Sequence, residues 1–354
     1  MSAKKPSKKW RKVILALLFI ALNVGVIIAT AVSEFGNSNN ATKLSEIRIN
    51  WWLLIPAVLC FLVAITAEIS KYALMIKRMS PAKNFERKDG WKLARRTVLL
   101  GRYYDNITPA AVGGQPFQIY YMRRNSGLSS GASTSIPMFG MISLQIAFIM
   151  IALVCFLFGG VAGDYPALIV TAWIGLAFFA FWPVMVAGIS FFPKPTTTFI
   201  KWVVKVLAKI KIVKNREKAL TKVEHEVKEY ADSVKMILKT KGLFWQTILL
   251  SLVFNLFIAA IPFFVLTAFG GGVNFWACLG TTIAVMSAVY FIPTPGNAGA
   301  AEGTFFVVFS ALSSGYVFWA MLIWRFFSYY IYIIVGLIIY FLIHLEKRRG
   351  KLNV

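Results

Sequence analysis

A series of apolar runs constrains this chain more than any other feature, because most of them reach the roughly 20 residues that a membrane-spanning helix needs. Apolar residues make up 58% of the chain. The run from Phe275 to Ile292 is marginal in length, whereas the others are long enough to span. This pattern predicts an all-α polytopic membrane protein. The runs are Val13 to Val32, Trp51 to Ile76, Ala132 to Phe158, Tyr165 to Phe192, Leu243 to Phe269, Phe275 to Ile292 and Tyr316 to Ile343.

The net charge of +24 is distributed in a way that predicts the orientation of these spans. Lys and Arg number six before the first run, eight from Lys77 to Arg96, thirteen from Lys194 to Lys241 and four after His344. Loops on the opposite side hold only Lys43 and Arg48. The positive-inside rule therefore predicts a multi-pass plasma-membrane protein with both termini cytoplasmic and basic segments facing the anionic inner leaflet. We expect no nucleic-acid binding, because no aromatic-basic recognition motif accompanies the charge.

Two segments share the pattern TPxxxG, Thr108 to Gly113 and Thr294 to Gly299. Proline removes a backbone donor and glycine disfavours helix, so each segment should interrupt a helix. The charge-derived topology requires residues 97–128 and 275–313 to start and end on the same side of the membrane. We therefore predict two re-entrant segments, one from each face. The alternative is that Pro109 and Pro295 kink ordinary helices.

These features predict an inverted repeat in which each copy is span, span, re-entrant segment, span. The first copy covers residues 1–158, and the second covers residues 165–343. The second copy contains an amphipathic cytoplasmic insertion, 193–242, whose periodicity predicts a short helical hairpin on the membrane surface. Residues 344–354 form a basic tail. Paired interruptions in two halves typically mark a transporter site near the bilayer midplane.

Ionisable residues inside apolar segments are expensive to bury and thus indicate function. Arg102 and Asp105 precede the first break and could also neutralise each other. Glu302 follows the second break, and Arg325 could pair with it or hold an anionic headgroup. Helix N-termini after the breaks would add positive dipole ends. The predicted substrate-binding residues are Arg102, Asp105, Asn106, Thr108, Gly113, Gly114, Gln115, Thr294, Gly296, Asn297, Gly299, Glu302 and Arg325.

The other polar residues of the sequence do not indicate an enzyme active site or a metal site. Glu68 and Lys71 are three residues apart, which predicts a structural pair with Lys71 snorkelling to the surface. The three cysteines and two histidines lack metal-ligand spacing, and no phosphate-binding loop or HExxH motif is present. We expect no metal, no cofactor and no ATP-driven pump. An intramembrane enzyme using Asp105 and Glu302 as acid and base stays an open alternative.

The two motifs resemble the lysylphosphatidylglycerol synthase transmembrane-domain family, over nearly the whole chain. They are Asn106-Ile-Thr-Pro-Ala-Ala-Val-Gly-Gly-Gln-Pro-Phe-Gln-Ile-Tyr-Tyr-Met-Arg-Arg-Asn-Ser-Gly-Leu-Ser129 and Pro293-Thr-Pro-Gly-Asn-Ala-Gly-Ala-Ala-Glu-Gly-Thr-Phe305. The resemblance implies a relative of the flippase part of the multiple peptide resistance factor, which moves aminoacylated phosphatidylglycerol outward and confers resistance to cationic peptides.

The resemblance also sets expectations about catalysis and substrate. In full-length synthases of the family, a soluble C-terminal domain transfers the aminoacyl group, and we expect this chain, which ends at Val354, to lack it. Some relatives carry Glu where this chain has Gln115, which weakens the case for a lysyl lipid. The leading prediction is a translocator of a phosphate-bearing lipid. The alternatives are a membrane component of lysylphosphatidylglycerol synthesis, a scaffold for a separate lipid-modifying synthase, or a transporter of polyprenyl-phosphate-linked sugars.

Overall fold

A computed structural model describes most of the chain after its first apolar run. The described residues are 25, 28, 32, 49–80, 87–111, 113–158, 161, 166–209, 216–240, 242–290, 292–312 and 317–348. Apart from positions 25, 28 and 32, the predicted span from Val13 to Val32 lies outside them, as does the tail beyond residue 348.

The described residues form helices and no strand. A 3₁₀ turn at Trp51–Leu53 leads into the first helix, and a π-helical turn at Phe326–Tyr330 joins the last two. The helices are α1 (Leu54–Met79), α2 (Arg87–Ile107), α3 (Gly114–Asn125), α4 (Ser130–Leu157), α5 (Pro166–Phe191), α6 (Pro193–Lys209), α7 (Arg216–Lys239), α8 (Leu243–Ala268), α9 (Phe275–Val289), α10 (Ala300–Leu312), α11 (Val317–Arg325) and α12 (Ile331–Arg348).

Five of the predicted spans are confirmed as helices long and apolar enough to cross a membrane. The marginal run becomes α9, which is too short for a span of ordinary length. An all-helical membrane protein with about five such helices is therefore established for the described part of the chain. The five are Trp51–Met79, Ser130–Leu157, Pro166–Met185, Leu243–Ala268 and Val317–Glu346.

Both TPxxxG segments interrupt the helical backbone rather than bend it. The first break separates α2 from α3 and contains a 3₁₀ turn at Pro109–Ala111. The second break separates α9 from α10 and contains a 3₁₀ turn at Pro295–Asn297. The helices on either side of each break pack against each other, so each break is the tip of a helical hairpin. The alternative of simple proline kinks is therefore wrong.

The packing of the helices brings the two breaks together. Helices α1 and α8 form the most extensive helix pair, and α4 packs against α8. The two 3₁₀ turns of the breaks contact each other directly. Because the breaks are nearly two hundred residues apart in sequence, this contact depends on the packing of both halves of the chain.

The insertion 193–242 contains the two predicted helices, α6 and α7, which pack against each other. Lys201 of α6 pairs with Glu224 of α7. The buried face of α7 packs on α4, where Val234 contacts a cluster that includes Ile142. The apolar side chains of Phe199 and Trp202 on α6 are left exposed.

The crossing of α5 and α9 is close enough to require glycine at position 175. A Cβ atom built on Gly175 would lie 1.9 Å from the carbonyl oxygen of Ser287 in α9. We expect Gly175→Ala to lower the free energy of unfolding by about 1–3 kcal/mol, because the two backbones must move apart. Gly188→Ala is the matched control in the same helix, since nothing lies within 4 Å of its added Cβ. Equal thermal stability of the two variants in detergent would contradict this packing.

Candidate functional site

The first break is organised by hydrogen bonds from its own threonine and aspartate. The Thr108 hydroxyl donates to the Tyr104 carbonyl at 2.7 Å and accepts from the Gly113 amide at 2.9 Å. The Gly114 amide, at the start of α3, donates to Asp105 Oδ1 at 2.8 Å. Asp105 therefore satisfies a free donor at a helix N-terminus, as a capping residue does.

The second break also uses a threonine and a carboxylate, but their hydrogen bonds are different. The Thr294 hydroxyl donates to the Ala298 carbonyl at 2.9 Å, and the Gly299 amide donates to Glu302 Oε2 at 2.8 Å. Glu302 thus caps the start of α10, as Asp105 caps the start of α3. A carboxylate of the chain therefore binds one amide at each of these helix N-termini, where the sequence predicted positive dipole ends directed at phosphate.

The two breaks also share an unusual backbone conformation. The third residue after each threonine has a positive φ angle, +50° at Ala111 and +56° at Asn297. Residues other than glycine adopt this left-handed region rarely and at a cost of roughly 1–2 kcal/mol. Such strain persists where the surrounding structure over-determines it, typically at functional sites.

Arg325 joins the second break to the last membrane-length segment. Its Nε donates to Glu302 Oε1 at 2.6 Å, and its Nη2 donates to the Gly296 carbonyl at 3.2 Å. Arg325 and Glu302 are only 4% and 2% exposed, so this is a buried ion pair. The predicted Glu302–Arg325 pair is confirmed. The π-helical turn that follows Arg325 places Tyr329 against Gly296.

A cavity of about 280 Å³ lies beside the two breaks. Its charged lining residues are two arginines and two carboxylates, namely Arg102, Arg325, Glu68 and Asp105. Apolar side chains from α4, α5 and α9 also line it, and they include Met141, Leu144, Phe148, Phe179, Met286 and Val289.

A buried charged cluster connects the cavity to the central helices. Lys71 Nζ lies 2.8 Å from Glu68 Oε2 and donates to the Gly140 carbonyl at 2.9 Å and to Ser251 Oγ at 3.1 Å. The Glu68–Lys71 pair is confirmed, but snorkelling is wrong, because Lys71 is 0% exposed and is held by partners in α4 and α8. Buried charges require such partners.

Arg102 faces Glu68 rather than Asp105. The distance from Arg102 Nη2 to Glu68 Oε1 is 3.9 Å, and the guanidinium lies 4.7 Å from the centre of the Phe254 ring. The possible Arg102–Asp105 ion pair does not occur in the described part of the chain, where the hydrogen bond of Asp105 is to Gly114. Arg102 lines the cavity, and its Nη2 makes no hydrogen bond within the described residues.

The structure divides the predicted site residues into two groups. One group lines the cavity: Arg102, Asp105, Asn106, Gln115, Gly296, Asn297 and Arg325. The other group builds the breaks beside it through the hydrogen bonds and helix starts described above: Thr108, Gly113, Gly114, Thr294, Gly299 and Glu302.

Several lining residues were not predicted. Gln145 and Asn255 are amides inside apolar runs, and Glu68 is a carboxylate in one, so polarity at membrane depth was an available signal. Trp324 and Ser328 gave no such signal, because an indole and a hydroxyl are common in membrane helices. The described residues contain no group of His, Cys, Asp and Glu suited to a metal ion.

Comparison with protein families finds a match over nearly the whole chain. The family model described as "Lysylphosphatidylglycerol synthase TM region" matches residues 13–336, a range that includes both breaks and all cavity-lining residues. Comparisons with curated proteins and with solved structures find no match. The match covers nearly the whole chain, and the chain therefore belongs to the lysylphosphatidylglycerol synthase transmembrane-region family.

Proposed function

We propose that this protein translocates a phosphate-bearing lipid between leaflets, with the headgroup passing through the cavity beside the two breaks. The observation that carries the proposal is the direct contact of the two breaks next to a cavity lined by both charged and apolar side chains. Irregular backbone at membrane depth is tolerated only where protein or the water of a cavity satisfies the hydrogen bonds of its N–H and C=O groups. A polar cavity among membrane-length helices suits a headgroup whose acyl chains stay in lipid.

We further propose that the two hairpins are re-entrant segments entering from opposite faces, within an inverted repeat of residues 1–158 and 165–343. The shared left-handed residue of the two breaks, and a carboxylate that accepts from an amide at the start of the helix after each break, support this symmetry. The central pairing of α1 with α8 also fits, because these helices occupy equivalent positions in the two copies.

We propose the orientation of this repeat in the membrane from the distribution of its Lys and Arg residues. The basic insertion 193–242 and the basic ends of the chain would lie at the anionic cytoplasmic leaflet of the plasma membrane, with both termini cytoplasmic. Exposed Phe199 and Trp202 on the basic helix α6 fit contact with that surface.

Arg102 and Arg325 are the proposed phosphate contacts. Both line the cavity, and the planar guanidinium group can donate two hydrogen bonds to one phosphate. A phosphate contact is better supported for Arg102 than for Arg325, because Arg102 Nη2 is buried without a hydrogen-bond partner among the described residues. Glu302 is assigned a structural role instead of the expected headgroup contact, because both its oxygens bind partners within the chain.

A second candidate function rests on the description of the family, which names a synthase. In that case the chain would act as the membrane component of lysylphosphatidylglycerol synthesis, together with a separate lipid-modifying synthase. The basic insertion α6–α7 would be the contact surface for such a partner. A protein with this role alone would not move lipid by itself.

The test is reconstitution of the purified protein in liposomes that contain fluorescent phosphatidylglycerol, lysylphosphatidylglycerol or a polyprenyl phosphate. Exposure to an impermeant quencher reports movement between leaflets. We expect the wild-type protein to accelerate the movement of at least one lipid. Folded protein that accelerates none would contradict translocation and favour the synthase-component role.

Arg102→Gln gives the corresponding site-specific prediction. Loss of a charge-assisted hydrogen bond in a buried site costs about 1.5–3 kcal/mol, so the translocation rate should fall by roughly 10- to 100-fold. Arg95→Gln is the matched control, because Arg95 lies on the same helix but is exposed. Equal translocation rates for the two variants, at equal thermal stability, would contradict the proposed role of Arg102 in binding phosphate.

A further inference from the structure

Side-chain amides are the most numerous polar groups around the cavity. They come from α2, α3, α4, α8 and the second break, so they surround the arginines on several sides. The six amide residues are Asn106, Gln115, Gln118, Gln145, Asn255 and Asn297. Hydroxyl groups of Tyr72, Tyr290, Tyr332 and Ser328 also line the cavity.

Part of this polar lining has no partner within the described part of the chain. Gln145 and Trp324 are each only 3% exposed, yet Gln145 Oε1 and Trp324 Nε1 make no hydrogen bond there. Ser328 Oγ and Arg102 Nη2 also make no hydrogen bond there, although Arg102 Nη2 lies 3.9 Å from Glu68 Oε1. Buried polar atoms are nearly always hydrogen-bonded, so these four atoms of cavity-lining residues require a partner, which water or a ligand supplies.

The unpartnered atoms require both donors and acceptors from that ligand. Trp324 Nε1 and Arg102 Nη2 can only donate, whereas Gln145 contributes an amide and Ser328 a hydroxyl. A phosphate oxygen satisfies the donors but offers nothing to an acceptor. A hydroxyl group both donates and accepts, which matches amides and hydroxyls alike.

The charges of the cavity argue against a headgroup with several ammonium groups. Glu68 is paired with Lys71 and faces Arg102, and Glu302 is paired with Arg325. Of the two lining carboxylates, Asp105 is therefore the one without an ion pair in the described residues, and its Oδ1 binds Gly114. A lysyl headgroup carries two ammonium groups, and burying either without a carboxylate is costly.

We propose that the headgroup accepted by this cavity is a polyhydroxylated phosphate, that is, a polyol or glycosyl phosphate lipid. This inference rests on the proposed translocation function and names its substrate class. The phosphate binds Arg102, and the amide atoms that are not hydrogen-bonded within the chain, such as Gln145 Oε1, bind the free hydroxyls. A site built to bind hydroxyls rejects analogues that lack them, because its buried polar groups are then left unpaired.

The first test compares translocation of labelled phosphatidylinositol, phosphatidylethanolamine and lysylphosphatidylglycerol with matched acyl chains in the same liposomes. We expect phosphatidylinositol to move at least about tenfold faster than the other two lipids. Lysylphosphatidylglycerol moving as fast as phosphatidylinositol, or faster, would overturn the headgroup inference while leaving translocation intact.

Gln115→Glu tests the same inference by adding a carboxylate to the cavity. We expect the rate ratio of lysylphosphatidylglycerol to phosphatidylinositol to rise by about tenfold, since the new charge attracts ammonium groups. Gln246→Glu is the matched control, because Gln246 is exposed at the start of α8 and outside the cavity. An unchanged ratio in Gln115→Glu would count against the proposal.

A binding measurement separates failure of this inference from failure of translocation. Dihexanoyl phosphatidylinositol and dihexanoyl lysylphosphatidylglycerol are added to the full-length protein in detergent, and the shift in Tm is recorded. We expect the larger shift from the inositol lipid, reduced in Gln145→Leu. This binding result tests the headgroup class even when no lipid moves in liposomes. A larger shift in Tm from the lysyl lipid would refute the proposed headgroup class.

Discussion

Arg325→Met is expected to lower the free energy of unfolding by about 3–5 kcal/mol, because it leaves the buried Glu302 carboxylate without its counter-ion. The pair is almost completely buried, and the variant also removes the donor to the Gly296 carbonyl. Thermal or denaturant unfolding in detergent measures the loss.

A double-mutant cycle distinguishes an ion pair from two independent contacts. We expect Glu302→Leu combined with Arg325→Met to be less destabilised than the sum of the single variants, because neither charge then remains unpaired. Arg124→Met, which replaces an exposed arginine, serves as the control and should change stability by less than about 0.5 kcal/mol. Strict additivity of the two single effects would contradict the pairing.

Gly296→Ala is the second substitution with a large expected effect. Gly296 has a φ angle of +58°, and a Cβ atom there would lie 2.0 Å from the ring of Tyr329. The left-handed conformation costs roughly 1–2 kcal/mol in alanine, and the clash adds about 1–3 kcal/mol. We therefore expect a loss of about 2–5 kcal/mol in unfolding free energy, with the second break displaced from Tyr329.

Gly303→Ala is the control for this substitution. Gly303 lies in α10, and nothing approaches within 4 Å of its added Cβ. Alanine is favoured over glycine in a helix by about 1 kcal/mol, so this variant should be as stable as wild type or slightly more stable. If both alanine variants melt at the wild-type temperature, the close approach of Tyr329 to the break is incorrect.

The helices and breaks were predictable because their causes are local. Runs of apolar residues determine the spans, and the Thr-Pro and glycine positions determine where α2 and α9 end. The Glu302–Arg325 pair was also predictable, since buried charges must find a partner and few were available.

Tertiary contacts determine the roles that the sequence left open. The expected headgroup contacts of Asp105 and Glu302 stay a prediction, whereas the hydrogen bond that each accepts from an amide at the helix after its break was not expected. Lys71 was expected at the surface, and its burial depends on Gly140 and Ser251 in other helices. Periodicity and charge spacing carry no information about such partners.

The most direct test of lipid passage through the cavity is chemical block of Gln115→Cys with a bulky thiol reagent. The native Cys60, Cys155 and Cys278 are buried in helices and should not react from water, and Gln246→Cys provides a reactive site outside the cavity. The account predicts that labelling Gln115→Cys reduces lipid translocation at least about tenfold, whereas labelling Gln246→Cys leaves it unchanged. Full translocation by completely labelled Gln115→Cys would contradict a route through this cavity.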